Sequence, residues 1–257
     1  MKFSKKKFFK QNSQHSFRKF SFYISPLLKD FKFTHGFLTK ESSDIDIENL
    51  AFSLKKGDNK NYFLHQIHSN LIVFPFDLNK NEKVKADGIL SDKLNQNLWV
   101  YSADCMPILF ADKSSRRVGI IHCGRVGLEK KIIPNFLKTI TKLGSRREDL
   151  LVAIGPSISG EKYSLDKETF KNFLQEYHSQ DLRDFIPENK INTIKNNYDK
   201  EFNPLDIQGY AFDQLIKEKI LESNIDISNI CTYENHLEFY SWRRNKTQKR
   251  QWSFISS

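Results

Sequence analysis

Cys105 and His122 are the residues through which this sequence first suggests chemistry. Cys105 sits near the start of the run Ser102-Ala103-Asp104-Cys105-Met106-Pro107-Ile108-Leu109-Phe110-Ala111-Asp112, and His122 near the end of Gly119-Ile120-Ile121-His122-Cys123-Gly124. The intervening Lys113-Ser114-Ser115-Arg116-Arg117 reads as a hairpin turn, so antiparallel pairing brings the thiol and the imidazole to the same end of a sheet. A thiolate and an imidazole suit a borderline-soft ion such as zinc or copper. They equally suit a Cys-His nucleophile and base pair. A buried cysteine beside a satisfied core histidine is the plain alternative.

Elements that would position this pair alternate along the chain. Phe17 to Ile24 favours a strand, Leu27-Leu28 to Thr34 leads toward a second, and His35 to Lys40 ends it. Glu41 to Glu48 reads as an acidic loop. Asn61 to His68 and Leu71 to Phe76 have strand character, with Ser69-Asn70 as a tight turn between them. His65 and His68 are three apart, so on a strand they point to opposite faces and cannot easily share a site. Lys85 to Ser91 and Asn97 to Tyr101 are further short strands. Leu128, Ile132, Ile133, Phe136, Ile140 and Leu143 lie at helical spacing, with Pro134 either bending the helix or marking its first turn, and Gly144 as its stop. Leu150 to Ile154 is a buried-type strand ending in Gly155-Pro156-Ser157-Ile158-Ser159-Gly160, a loop whose backbone N–H groups are suited to approach a ligand. Asp166 caps a helix reaching about Tyr177, and Ser179 to Asn203 is polar without period. Asp206 caps another helix with Phe212, Leu215, Ile216 and Ile220 on its apolar face. Ile230 to Tyr233, Phe239 to Arg244 and Gln251 to Ile255 are strand-like. No repeat or linker interrupts this mixture, which predicts one α+β domain over residues 1–257.

Composition narrows the class. The 257 residues suffice for a sizeable core, 39% of them are hydrophobic, and no apolar run approaches the roughly 20 residues a bilayer span requires. The basic start lacks the apolar stretch and small-residue cleavage site of a secretory leader. Three cysteines, an odd count, argue against a disulfide framework and for a cytoplasmic protein. The net charge of +10 is spread through a chain rich in Lys, Asn, Ile and Phe, and no recognition motif accompanies it, so no nucleic acid or membrane partner is expected. Residues 1–15, with Lys5-Lys6-Lys7, read as a loose basic arm.

Several blocks in fixed order add to this reading. They are Gln66-Ile67-His68-Ser69, Ala86-Asp87-Gly88, Ser102 to Ile108, Ile121 to Leu128, Val152 to Ile158, and Cys231-Thr232-Tyr233 with Phe239 to Asn245. This ordered set resembles the YfiH-type family, also called laccase-domain or multicopper polyphenol oxidase proteins, from about Phe33 to Ile255. The resemblance implies a four-layer α/β/β/α sandwich of mixed sheets. It implies zinc-dependent phosphorolysis of purine nucleosides (adenosine, inosine, guanosine and methylthioadenosine) with phosphate, and adenosine deamination beside it. A peptidoglycan editing factor is a further label in the family.

In the family, metal ligands lie in Gln-Val-His-Gly, Thr-Ala-Asp-Cys-Leu-Pro and His-Ala-Gly-Trp-Arg-Gly blocks. These fall on His68, Cys105 and His122 here, leaving His65 off the site. Two His and one Cys leave a fourth position on a tetrahedral ion, as catalytic sites do. The resemblance also places Arg243 and Arg244 near the site, where a guanidinium suits phosphate. Cys105 and Asp104 are expected to act in catalysis, Asp104 in acid–base work or as a partner behind the ligands, unless it caps a turn. Departures cluster around the substrate. Arg125-Val126 replaces Trp-Arg, Cys123 replaces Ala, Thr39-Lys40-Glu41-Ser42-Ser43 replaces Thr-Arg-x-Gly-Gly, and Gly160 to Ser164 replaces Pro-Cys-Cys-Tyr-Glu. A copper-dependent phenol oxidase is the first alternative, disfavoured because a multicopper centre needs more ligands than a chain with seven His readily offers. A cell-envelope-related binding factor with weakened catalysis is the second. A monomer or a homodimer is expected.

Overall fold

A computed structural model describes residues 7–15, 18–54, 60–78, 84–178 and 202–257. In chain order its elements are β1 (Phe9–His15), β2 (Arg18–Ile24), α1 (Pro26–Asp30), β3 (Thr34–Leu38), α2 (Ile47–Leu54), β4 (Lys60–Phe63), β5 (Ile72–Val73), β6 (Gly88–Leu90), β7 (Gln96–Ser102), β8 (Met106–Asp112), β9 (Val118–Cys123), α3 (Arg125–Glu129) and α4 (Ile132–Lys142). There follow β10 (Leu150–Ile154), β11 (Ser164–Asp166), α5 (Lys167–His178), β12 (Phe202–Pro204), α6 (Ile207–Lys217), β13 (Ile225–Ile227), α7 (Trp242–Asn245) and β14 (Gln251–Ser256).

Two six-stranded mixed sheets carry the site, in orders β1-β2-β3-β14-β7-β4 and β13-β10-β8-β9-β6-β5. Strands β8, β9 and β10 are buried at every residue, which is why they read as continuous apolar runs rather than alternating ones. Their side chains still alternate in destination. Leu109, Ala111, Ile120 and Ala153 face Phe37, Leu98, Val100 and Ile255 of the first sheet. Ile108, Phe110, Ile121 and Val152 face the opposite way, onto Phe136 and Ile140 of α4, Phe173 of α5 and Leu215 of α6. The far side of the first sheet buries Phe20, Phe22, Trp99 and Phe254 with Leu50 and Ala51 of α2. The mixed single-domain architecture expected from sequence is therefore present.

Several local expectations change. Residues Phe9–His15 are not a loose arm but pair with β2 along their whole length, Phe9 opposite Ile24 and His15 opposite Arg18. The segment after Ser25 is helical rather than extended, because the Ser25 hydroxyl accepts the Leu28 N–H at 3.2 Å and Pro26 starts the helix with its φ already fixed. Glu41 to Glu48 is not wholly loop: a 3₁₀ turn spans Lys40–Ser42 and α2 begins at Ile47. The helical run after Gly127 is two helices. Lys131 takes a left-handed conformation (φ 60°) between α3 and α4, and Pro134 falls in the first turn of α4, where a missing N–H costs little. Leu71 to Phe76 holds only the two residues of β5 before a 3₁₀ turn at Pro75–Asp77. In α6, Ile207, Ala211 and Leu215 form the buried face, while Ile216 is exposed. Phe239 to Arg244 is not a strand, since the Ser241 hydroxyl caps α7 by accepting the Arg244 N–H at 3.1 Å. Of the polar stretch Ser179 to Asn203, residues 179–201 lie outside the described residues, as do residues 1–6. No helix among the described residues is long and apolar enough to cross a membrane.

Candidate metal centre

The β8–β9 hairpin does what its sequence suggests. Pro107 pairs with His122 and Met106 with Cys123, so Cys105, one residue before β8, lies beside the end of β9. The third member arrives by a different route. Strand β4 stops at Phe63, and the chain leaves the sheet at Gln66, whose side-chain amide replaces the missing strand by donating to the Tyr101 carbonyl (2.7 Å) and accepting its N–H (2.8 Å). His68 follows with φ 54° and, though exposed, borders the same cleft as Cys105 and His122. Ligand atoms of His68, Cys105 and His122 all lie within 4.8 Å of one another. Cys105 Sγ is 4.0 Å from His68 Nε2, and the two imidazoles meet edge to face at 4.9 Å. His65 is exposed and away from this group, in a lone bridge with Lys85.

Behind the triad stands Asp87, with no exposure at all. Its Oδ1 accepts from His122 Nδ1 at 2.9 Å and from the His68 N–H at 3.1 Å. Its Oδ2 accepts the N–H groups of Ile67 (3.2 Å) and Ser69 (2.6 Å) and the Ser69 hydroxyl (2.8 Å). Burial alone would raise the Asp87 pKa, but the His122 and Ser69 bonds outweigh it and hold the carboxyl at about 2. Burial likewise pushes the Cys105 thiol up, yet the His122 charge and the hydrogen bonds of His122 and His68 bring it down to about 6. Burial lowers His122, and the Cys105 charge and the Asp87 bond reverse this and raise it to about 9. A sulfur poised to ionise and two imidazoles, one with its Nδ1 taken by a carboxylate, form a donor set that fits a zinc-like ion with one position left toward the cleft.

That cleft is about 440 Å³ in volume. Tyr101, Tyr163, Trp242, Ile158 and Ile207 give it apolar walls, and Arg125, Arg243 and Arg250 give it charge. Arg243 lies 4.7 Å over the Tyr163 ring, donates from Nη1 to the Ser164 carbonyl (3.2 Å), and has a buried Nε with no partner within the protein. Arg125 opens α3 and is paired with Glu129 one turn on.

Two expected site residues have other work. The guanidinium of Arg244 is turned from the cleft and donates to the carbonyls of Thr232 (2.8 Å), Tyr233 (2.7 Å) and Phe239 (2.8 Å). Of the pair, Arg243 lines the cleft and Arg244 does not. Asp104 borders the cleft, but its carboxylate is committed to the hydroxyls of Thr232 (2.8 Å) and Ser241 (3.0 Å) and to the Arg243 N–H (2.7 Å). It holds the start of α7 against the residue preceding Cys105, the turn-capping role rather than a free acid or base. The Gly155 to Gly160 loop is not a ligand cradle either. Its N–H groups at Gly155, Ser157 and Ile158 go to the carbonyls of Pro107, Ile230 and Asp104, and a Cβ at Gly155 would meet the Phe37 ring at 2.3 Å. Cys123 faces the helices, buried, with its thiol pKa raised well above the ordinary value by burial.

Sequence reasoning missed Asp87, Arg250, Tyr163 and Trp242 as site residues. Of these Asp87 had a signal, since a ligating histidine ordinarily gives its second nitrogen to a carboxylate.

Comparisons with known proteins give the family and the fold. The family model described as "Multi-copper polyphenol oxidoreductase laccase" matches residues 43–257. A Synechocystis protein named purine nucleoside phosphorylase is 34% identical over 181 residues, 67% of this chain and 68% of the relative. One of the same name from Clostridium acetobutylicum is 29% identical over 245 residues, 92% of each chain. Among solved structures, YlmD from Geobacillus stearothermophilus superposes with a TM-score of 0.75 at 21% identity, covering 95% of this chain and 98% of that one. The Bacillus licheniformis protein YfiH superposes with a TM-score of 0.74 at 22% identity, covering 91% and 96%.

Proposed function

Because the chain belongs to the laccase-like family of multi-copper polyphenol oxidoreductase description, we propose that it is a purine nucleoside phosphorylase whose metal is zinc and which also deaminates adenosine. The observation that carries this reading is one cleft in which the His68–Cys105–His122 group, three arginines and aromatic walls meet. Relatives named purine nucleoside phosphorylase supply the reaction class.

In phosphorolysis a phosphate oxygen attacks C1′ of the ribose, the bond from C1′ to the base nitrogen breaks, and the base leaves with the electron pair. Arg243 would bind the phosphate: its guanidinium lies 4.7 Å over the Tyr163 ring, and its buried Nε lacks an acceptor within the protein. Arg125 and Arg250 add charge from the other walls, and the Tyr163 and Trp242 rings suit the flat purine. His68, Cys105 and His122 would hold zinc, which when bound supplies Lewis acidity and an activated water of the kind that deaminates adenine at C6. Adenosine, inosine, guanosine and methylthioadenosine are the substrates proposed. The three cysteines are unpaired, which supports a reducing, cytoplasmic setting. Copper oxidase chemistry is disfavoured. Among the described residues one group of three or more potential ligands lies within metal-holding reach, and a multicopper centre needs several.

The test is phosphate-dependent release of hypoxanthine from inosine and of adenine from adenosine by the purified protein, with metal content measured in parallel. Release of neither base overturns the phosphorylase reading. Bound zinc with tight nucleoside binding and no turnover would instead mark a binding protein that has lost catalysis.

A further inference from the structure

We propose that Asp87 is a positioning residue that fastens two of the three metal ligands to each other, so that His68 and His122 bind an ion as one preassembled unit. This rests on the metal-centre reading, not on the identity of the substrate.

One buried carboxylate collects five hydrogen bonds. Oδ1 takes His122 Nδ1 and the His68 N–H; Oδ2 takes Ser69 twice and Ile67 once. The main chain adds a further tie, the His122 N–H donating to the Asp87 carbonyl at 2.7 Å. Two consequences follow for the ligands. With Nδ1 of His122 donating to Oδ1, Nε2 is the nitrogen left to bind an ion, which would displace its proton. With three consecutive N–H groups gathered on one carboxylate, residues 67–69 are held in the turn that gives His68 its φ of 54°, a conformation a non-glycine residue seldom adopts unaided. A second brace acts from outside, since Lys130 Nζ donates to the His68 carbonyl at 2.9 Å. The third ligand, Cys105, has no bond to Asp87 and is placed separately by the hairpin. His68 is 19 residues from Asp87 in sequence and His122 is 35, so nothing local to either ligand sets their spacing.

Asparagine at position 87 is nearly isosteric yet cannot satisfy this set. If its NH₂ replaces Oδ2, it confronts the N–H groups of Ile67 and Ser69. If it replaces Oδ1, it confronts the His68 N–H and forces His122 to accept at Nδ1, which moves the ring proton to Nε2 and removes the ligand. The first arrangement disturbs the turn that carries His68, and the second disturbs both histidines.

The experiment measures the zinc dissociation constant by chelator competition, with the absorption spectrum of the cobalt-substituted protein as a second readout, in wild type and Asp87→Asn. Failure of the wild type to bind either ion overturns the metal-centre reading itself. With binding in the wild type, a ten- to hundredfold weaker constant and an altered cobalt spectrum in Asp87→Asn are expected. A constant within twofold and an unchanged spectrum overturn the role of Asp87 alone. Should the variant not fold, nitrogen-15 NMR of the zinc-loaded wild type decides: a hydrogen-bonded proton on Nδ1 of His122 supports the proposal, and ligation through Nδ1 overturns it.

Discussion

Cys105 Sγ rests directly on Gly124. A Cβ added at Gly124 would lie 2.4 Å from the sulfur, far inside contact distance, and 3.4 Å from the Cys105 Cβ. The glycine is needed for this approach and not for its backbone, whose φ of −103° any residue adopts. Gly124→Ala is therefore expected to swing the thiol away from His68 and His122 while leaving the fold intact. Overpacking of this kind costs about 1–3 kcal/mol, and because the sulfur borders an open cleft the loss should appear in metal affinity. Chelator competition and a thermal melt of the metal-free variant separate the two. An unchanged zinc constant would show that the sulfur is not a ligand.

The Cys105 thiol, brought to about 6 chiefly by the His122 charge acting against burial, is a thiolate at neutral pH in metal-free protein. Alkylation of Cys105 by iodoacetamide, followed by peptide mapping, should rise with pH to half its limiting rate near pH 6. Cys123, buried and with its pKa raised, should remain unmodified in the native fold over the same range. Zinc should protect Cys105 at every pH.

Arg243 and Arg244 should separate cleanly on substitution. Arg243→Lys keeps a charge but loses the flat guanidinium over Tyr163, and is expected to raise the KM for phosphate about tenfold or more with little change in melting temperature. Arg244→Ala releases the carbonyls of Thr232, Tyr233 and Phe239 and should lower stability by about 1–3 kcal/mol. Steady-state kinetics at varied phosphate and denaturant titrations test both. Equal effects on phosphate KM would contradict the opposed orientations of the two side chains.

Stability should fall in mild acid because of His35, which does not line the cleft. Burial holds this imidazole neutral and brings its pKa down to about 4, even though it is bonded to Phe33 and Ser25. The unfolded chain binds a proton near pH 6.5, the folded chain only near 4, so stability is full above about 6.5 and declines as pH drops between those values. The loss amounts to about 3 kcal/mol. Urea titrations from pH 7.5 to 4 should show it, and a His35→Gln variant, however stable, should show a shallower dependence. Parallel slopes would rule His35 out as the source.

What the sequence disclosed follows the physics of each segment. The β8–β9 hairpin was legible because both strands are buried on both faces and flank a polar turn, and the pairing of Cys105 with His122 came with it. The break between α3 and α4 was not, because Lys131 adopts a left-handed conformation with no glycine to announce it. The Ser25-Pro26 start of α1 carries a cap signal that the following Leu27-Leu28 obscured. Arg244 was assigned to the site through its neighbour, and only the rotation of a short helix parts the two. Asp87 acts on His122 from 35 residues away, a distance that local pattern does not span.

The three candidate ligands also lie well apart along the chain, His68 and Cys105 by 37 positions, Cys105 and His122 by 17 (122 − 105). An ion gripping all three closes both stretches into rings, as a pair of cross-links would. In the chain-entropy view a single closure of roughly 15 residues stabilises by about 3 kcal/mol, through the freedom the unfolded chain is denied. An ion held there would then fasten the tertiary structure, and metal-free protein should be the less stable form.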